Sequence, residues 1–408
     1  MILHKIGGVM IIRESAAILK RLATYFPVVS VTGPRQSGKS TLVRAAYKNY
    51  PYVSLEDPRN RKLATDDPYR FFQQYDNGVI IDEVQRVPDL FSYIQVIVDK
   101  KKMMGQFILT GSNQYEYMHN ITQSLAGRMA TIKLLPFSYK ELYKQNSIKL
   151  EEVLFNGMYP AIFDRKIPPS EYYPSYVTSY VERDVRQIKN IASLTKFQNF
   201  LNLCAGRTGR ILNKESLANE CGISQPTVEE WLTILEASFI LYRFRPYFKN
   251  MKKRIIRSPK LYFFDTGLVC YLLGIHSEKQ LETHPLRGEI FETFVMSEFT
   301  KYHFHRAQRN NYYFFRDSNL NEIDLIIETG FGAVPVEIKS GQSLNDSFFK
   351  GLNFFRKLSD KHKCGGLIYA GNQEITFKNT IIKNYTHIYD MYEELIEREN
   401  WKIEEGKE

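Results

Sequence analysis

The chain has no apolar run approaching the roughly 18 residues of a membrane span. It has no internal repeat, no low-complexity tract and no pair of cysteines at metal-binding spacing. The four cysteines, Cys204, Cys221, Cys270 and Cys364, stand far apart. They read as buried thiols in a reducing compartment, not as a disulfide framework. His4, Lys5 and Arg13 break up the apolar residues of the N-terminus, so no secretory leader is expected. The expected setting is cytoplasmic, without a membrane.

What is present is a chain of 408 residues, 43% hydrophobic and 25% charged. That is enough for two or three packed domains. The formal net charge of +10 favours an anionic partner.

Residues 12–24 read as a helix with Ile18, Leu19 and Leu22 on one face. Strand candidates follow at 26–33, 52–55, 78–83, 106–111 and 130–135, with helix-like segments between them. Such alternation predicts an α/β unit with a parallel sheet covered on both faces, over residues 1–150. Residues 151–195 read as a helical connector or lid, 196–262 as a separate unit, and 263–408 as a second α/β unit.

Gly33, Pro34, Arg35, Gln36, Ser37, Gly38, Lys39 and Ser40 fit the pattern G-x-x-x-x-G-K-[ST] between a predicted strand and helix. Glycines at both ends let backbone amides close on a phosphate, and the helix N-terminus adds its dipole. Lys39 is expected to reach the β- and γ-phosphates of ATP, and Ser40 to place its hydroxyl on Mg²⁺. Thr41 completes the phosphate-binding set. The strand VIIDE delivers Asp82 to the magnesium shell and Glu83 to the attacking water. FILTGSN offers Ser112 or Asn113 to the γ-phosphate or to that water. Arg128, after a small-residue turn, is a candidate arginine finger, in cis or from a neighbouring subunit of a homo-oligomer. The expected catalytic set is therefore Lys39, Glu83, Ser112 and Arg128.

GPRQSGKST, IIDEVQ, LTGS, SLAGR and LPFSYKEL resemble the prokaryotic AAA+-like ATPases that carry an uncharacterised C-terminal domain. NGMYP (156–160), YVERDV (180–185), KLYFFDTGL (260–268) and GEIFETFVMSE (288–298) extend the likeness over nearly the whole chain. The resemblance implies an AAA+-like P-loop domain, ATP binding, a winged-helix region and a nuclease-like C-terminal fold. It also makes Arg183 a second candidate arginine near the nucleotide.

Residues 213–238 have a helix–turn–helix rhythm. Leu217 and Ala218 mark one short helix and Gly222 the turn. Ser224 caps a second helix whose inner face is Val228, Trp231, Leu232 and Leu235. Residues 243–260 carry eight Lys or Arg and no acid, which suits a wing contacting DNA phosphates. Glu229 and Glu230 on the second helix oppose DNA.

NEIDLIIE (321–328) and AVPVEIKSG (333–341) read as a hairpin. Asp324 lies in its first strand, and Glu337 and Lys339 share a face of the second. With Glu292 upstream they resemble the PD-(D/E)XK core of restriction-endonuclease-like domains. There Asp324, Glu337 and Glu292 would bind a metal, and Lys339 would orient water. The aromatic run YYFF (312–315) reads as core packing beside a strand.

The sequence thus predicts an ATPase that uses ATP and Mg²⁺ and binds or senses DNA, with metal-dependent nuclease activity a further candidate. The alternative is a nucleotide-gated protein-interaction switch with a catalytically silent C-terminal domain.

Overall fold

The computed structural model describes residues 3–6, 9–112, 125–144, 148–181, 193–247, 257–330, 332–358 and 364–405. An antiparallel pair, β1 (Leu3–Ile6) and β2 (Val9–Ile12), leads into a helix at Ser15–Leu22. The first sheet then forms from β3 (Val28–Thr32), β4 (Tyr52–Ser54), β5 (Val79–Asp82), β6 (Phe107–Gly111) and β7 (Met129–Lys133). Its order is β4-β5-β6-β3-β7 and every pairing is parallel.

Two-residue periodicity divides its apolar side chains between the faces. Val28, Val79, Ile81, Phe107 and Leu109 enter one core with Phe71, Phe91 and Ile94. Val29, Val31, Ile80 and Ile108 enter another with Leu19, Leu42 and Val43. Each such side chain contributes about 1.5–3 kcal/mol on burial. The sheet is stabilised from both sides, and its C-terminal edge is left to loops.

The middle region is helical. Helices at Leu194–Ala205, Lys214–Cys221 and Gln225–Ala237 precede the antiparallel pair β8 (Leu241–Phe244) and β9 (Lys260–Phe263). Gly222 ends the second helix at φ 60°. Ser224 Oγ accepts from the Thr227 amide at 3.2 Å and so caps the third. Val228, Trp231, Leu232 and Leu235 are buried. The residues between Tyr247 and Arg257, which hold half of the eight basic side chains, lie outside the described residues.

The last sheet is mixed. It comprises β10 (Tyr312–Arg316), β11 (Glu322–Glu328), β12 (Ala333–Lys339), β13 (Gly365–Tyr369), β14 (Ile375–Phe377) and β15 (Thr380–Asn384), in the order β10-β11-β12-β13-β15-β14. The hairpin expected at 321–341 is present as β11 and β12. Tyr312, Phe314 and Phe315 are buried, as core packing requires. Helices at Arg287–Phe304 and Ile388–Glu405 pack with the sheet. One large core, from Phe137 to Leu395, unites the middle region with the last sheet. No helix among the described residues is long and apolar enough to cross a membrane.

Candidate functional site

The loop from Gly33 to Gly38 joins β3 to the helix Lys39–Ala46. Gly33 lies at φ 152°, and a Cβ there would stand 2.1 Å from the Leu134 carbonyl oxygen. Gly38 lies at φ 92° and Gln36 at φ 61°, so the chain doubles back through left-handed conformations. This tight turn starts the helix with its amides facing an open cleft. The cleft has a volume of about 350 Å³ and is lined by Arg35, Lys39, Ser40, Asp82, Glu83 and Arg165, among others.

Lys39 Nζ donates to the carbonyl oxygens of Gly33 at 3.0 Å and Pro34 at 2.8 Å. Asp82, at the C-terminal end of β5, gathers three hydroxyls. Ser40 Oγ donates to Oδ1 at 2.8 Å and Tyr52 OH to Oδ2 at 2.7 Å, and Thr110 Oγ1 also donates to Oδ1. Burial and the Asp82 carboxylate together push the Tyr52 phenol well up. Ser40 and Asp82 supply adjacent hard oxygen donors, which suit Mg²⁺.

Glu83 sits at φ 55°, a left-handed turn that swings it off the strand. Its Oε2 accepts from Gln85 Nε2 at 2.5 Å and from Ser112 Oγ at 2.9 Å. Ser112, proposed from sequence as a phosphate or water contact, therefore touches the acid. Asn113 and Arg183 lie outside the described residues.

Arg128 is placed differently from an arginine finger acting in cis. It precedes Met129, which pairs with Val28 at the N-terminal end of β3. The phosphate loop leaves the other end, about 16 Å away at the rise of a strand. The Arg128 guanidinium holds Asp99 at 2.5 and 2.9 Å.

Sequence reasoning missed what lies beneath the loop. Arg13 is buried, and its Nη1 donates to the Ser37 carbonyl at 3.1 Å. Nη2 donates to the Leu135 carbonyl at 2.7 Å, and Nε to Glu141 Oε1 at 3.1 Å. Burial raises the Glu141 pKa, but Arg13 foremost, with nearby His305 and two backbone amides, outweighs it and holds the carboxyl below its ordinary range. His305 follows the long helix Arg287–Phe304, so this cluster runs from the phosphate loop to the C-terminal region. An isolated arginine after the apolar VMII was the only trace in the sequence.

In the last sheet, the register pairing Leu325 with Val336 brings Asp324 beside Glu337. Lys339 Nζ lies 2.8 Å from Asp324 Oδ2 and 2.5 Å from Glu337 Oε2. Glu292 meets Lys260 Nζ at 2.9 Å and also accepts from Tyr262 OH. Burial, then Asp324, pushes Glu337 well up, whereas two lysines outweigh burial at Asp324 and hold it at about 2. These residues do not fit a divalent ion as arranged, because an ammonium group already sits on one oxygen of each carboxylate. Among the described residues no three Asp, Glu, His or Cys side chains are grouped to hold a metal.

In the basic stretch 243–260, Arg243 is bound to Glu229 and Glu236, and Lys260 is buried. Carboxylates have consumed these two cations, so they are not a phosphate-facing surface.

Residues 25–143 match the AAA domain family. Residues 147–279 and 287–388 match two domains of unknown function, DUF8612 and DUF4143. Uncharacterized protein Rv2008c of Mycobacterium tuberculosis is 31% identical over 330 residues, covering 80% of this chain and 73% of that protein. The chain belongs to one family with that mycobacterial protein, and its own residues 25–143 make it a P-loop ATPase of the AAA kind. An uncharacterized protein of Haemophilus influenzae is 22% identical over 279 residues, covering 60% of this chain and 68% of its own. Among solved structures, the Walker-type ATPase of Pyrococcus abyssi aligns at 14% identity with a TM-score of 0.43, covering 64% of this chain and 94% of that one.

Proposed function

We propose that this family member hydrolyses ATP and uses the nucleotide state to control its C-terminal half. The observation that carries the first part is one cleft presenting both halves of the chemistry. Ser40 meets Asp82 at 2.8 Å, and Glu83 stands next in the chain, held by Gln85 and Ser112. Backbone amides of residues 33–41 and the helix N-terminus would hold the phosphates. Lys39 would exchange its two carbonyl partners for phosphate oxygens. Ser40 and Asp82 would hold Mg²⁺, which when bound neutralises charge on the transferring phosphoryl group. Glu83, released from Ser112 and Gln85, would polarise the attacking water. Arg128 would reach a phosphate only from a neighbouring copy, so turnover per chain should rise with protein concentration. Steady-state ATP turnover of Glu83→Gln tests the assignment, and unchanged turnover overturns it.

The anionic partner we propose is DNA, on the strength of the +10 charge and the six Lys and Arg that the sequence holds between Arg243 and Lys260. DNA-stimulated turnover that weakens with salt supports it. The contact from Ser37 through Arg13 to Glu141 and His305 favours a second reading, a nucleotide-gated switch with a protein partner. Association with a protein, insensitive to salt and dependent on ATP, selects that reading. Metal-dependent cleavage by Asp324, Glu337, Glu292 and Lys339 is the least supported of the sequence-derived activities, given their ion pairs.

A further inference from the structure

Lys260 opens β9, in the middle region and outside the C-terminal unit. It is 1% exposed. Its Nζ lies 2.9 Å from Glu292 Oε1 and 2.6 Å from Glu322 Oε1. Rings flank it, with the Phe314 centroid at 5.7 Å and that of Tyr262 at 6.0 Å. An unpaired ammonium in such a setting carries a large desolvation cost, so the carboxylates are what make its burial tolerable. In return it supplies those carboxylates with a positive charge.

Other cations hold further oxygens of the cluster. Lys339 spans Asp324 and Glu337. Arg316 Nη1 lies 3.0 Å from Glu322 Oε2. Asp324 Oδ2 further accepts from the Ile338 amide at 2.8 Å. The far oxygen of Glu337 faces backbone, since a Cβ on Gly351 would stand 1.8 Å from Oε1.

We infer that Lys260 is the resident cation of the C-terminal carboxylate cluster, standing where a divalent metal would otherwise be needed. The cluster is an electrostatic joint between the β8–β9 hairpin and the last sheet, not a metal centre. Lys260 reaches in from a strand that precedes the unit, which explains why residues 263–408 alone looked complete as a nuclease. This inference concerns a site separate from the phosphate loop and stands whether or not the chain hydrolyses ATP.

The test is Mn²⁺ titration of the full chain without nucleotide, followed by the electron paramagnetic resonance of free Mn²⁺. Wild type and Asp324→Asn should take up Mn²⁺ alike. Uptake in wild type that Asp324→Asn abolishes overturns the inference, as does Mn²⁺-dependent cleavage of labelled DNA that Asp324→Ala abolishes. Lys260→Met provides the converse. It should melt lower than wild type and gain several degrees of Tm from Mn²⁺, a gain absent from wild type and lost in Lys260→Met/Asp324→Asn. A folded Lys260→Met with no response to Mn²⁺ counts against Lys260 standing in for a metal. If that variant does not fold, the wild-type titration alone decides.

Discussion

Lys39 and Glu83 allow the sharpest residue-scale tests, because each touches only a few atoms. Replacing Lys39 with alanine removes an ammonium whose contacts to phosphate are each worth about 1.5–3 kcal/mol. Nucleotide affinity should fall about 100-fold or more. The circular dichroism spectrum should stay native, since Lys39 lies at the cleft and outside the apolar cores of the sheet. Titration with a fluorescent ATP analogue checks it, and wild-type affinity removes the assignment. Glu83→Gln should instead retain nucleotide and lose turnover by about 10²–10⁴-fold, the range of a general base. Both residues were legible because local spacing announces them: a glycine-flanked lysine before a helix, and two acids closing an apolar strand. Tyr52 and Thr110, which orient Asp82, were not. Each reaches Asp82 from one of the two strands flanking β5, and strand order is not written in local spacing.

Between elements, the buried ion cluster under the phosphate loop carries two predictions. Arg13→Ala leaves Glu141 buried without its strongest partner, and such losses cost about 3–5 kcal/mol. The urea midpoint should drop accordingly, and an unchanged midpoint would show that the pair is idle. The second concerns acid. Burial pushes His303 down to about 4 and His305 down to about 3. In the unfolded chain each titrates near its ordinary value of about 6.5. Between those values the unfolded state binds more protons, so stability falls as pH falls. The slope is about 1.4 kcal/mol per pH unit for each histidine. Glu141 acts in the same direction, but only below its own unfolded value of 4.5. Glu14 and Glu298, pushed up by burial, act the other way, so the histidine contribution is read as the difference between wild type and His305→Gln. The variant should lose less stability between pH 7 and pH 5, and an equal loss would show that His305 contributes nothing. None of this was legible in the sequence, because Arg13 and Glu141 are 128 residues apart.

For the molecule as a whole, the five strands of the first sheet and the β11–β12 hairpin fell where hydrophobic patterning placed them. The later strands β13, β14 and β15 were not foreseen. Their apolar stretches are short and carry no acidic residue inside the strand to mark them. The shared core is a further fact that local pattern does not carry. Leu135 packs with Phe239 and Phe264, and Phe137 and Tyr139 join the large core. A fragment of residues 1–143 should therefore expose these side chains, bind a hydrophobic dye and unfold without a sharp transition. A cooperative melt of that fragment would show that the first sheet is self-sufficient.

The span of that core also sets a schedule for synthesis. Met391 and Leu395 lie in the same cluster as Phe137 and Val153. The ribosome releases those ends some 240 residues apart, which at ~5–20 residues per second means roughly ten seconds or more. During that interval the first sheet can pair its strands, but Leu135, Phe137 and Tyr139 still lack their cover. The tyrosine-rich middle helices must wait for their cover, and this is when the chain has most need of a chaperone.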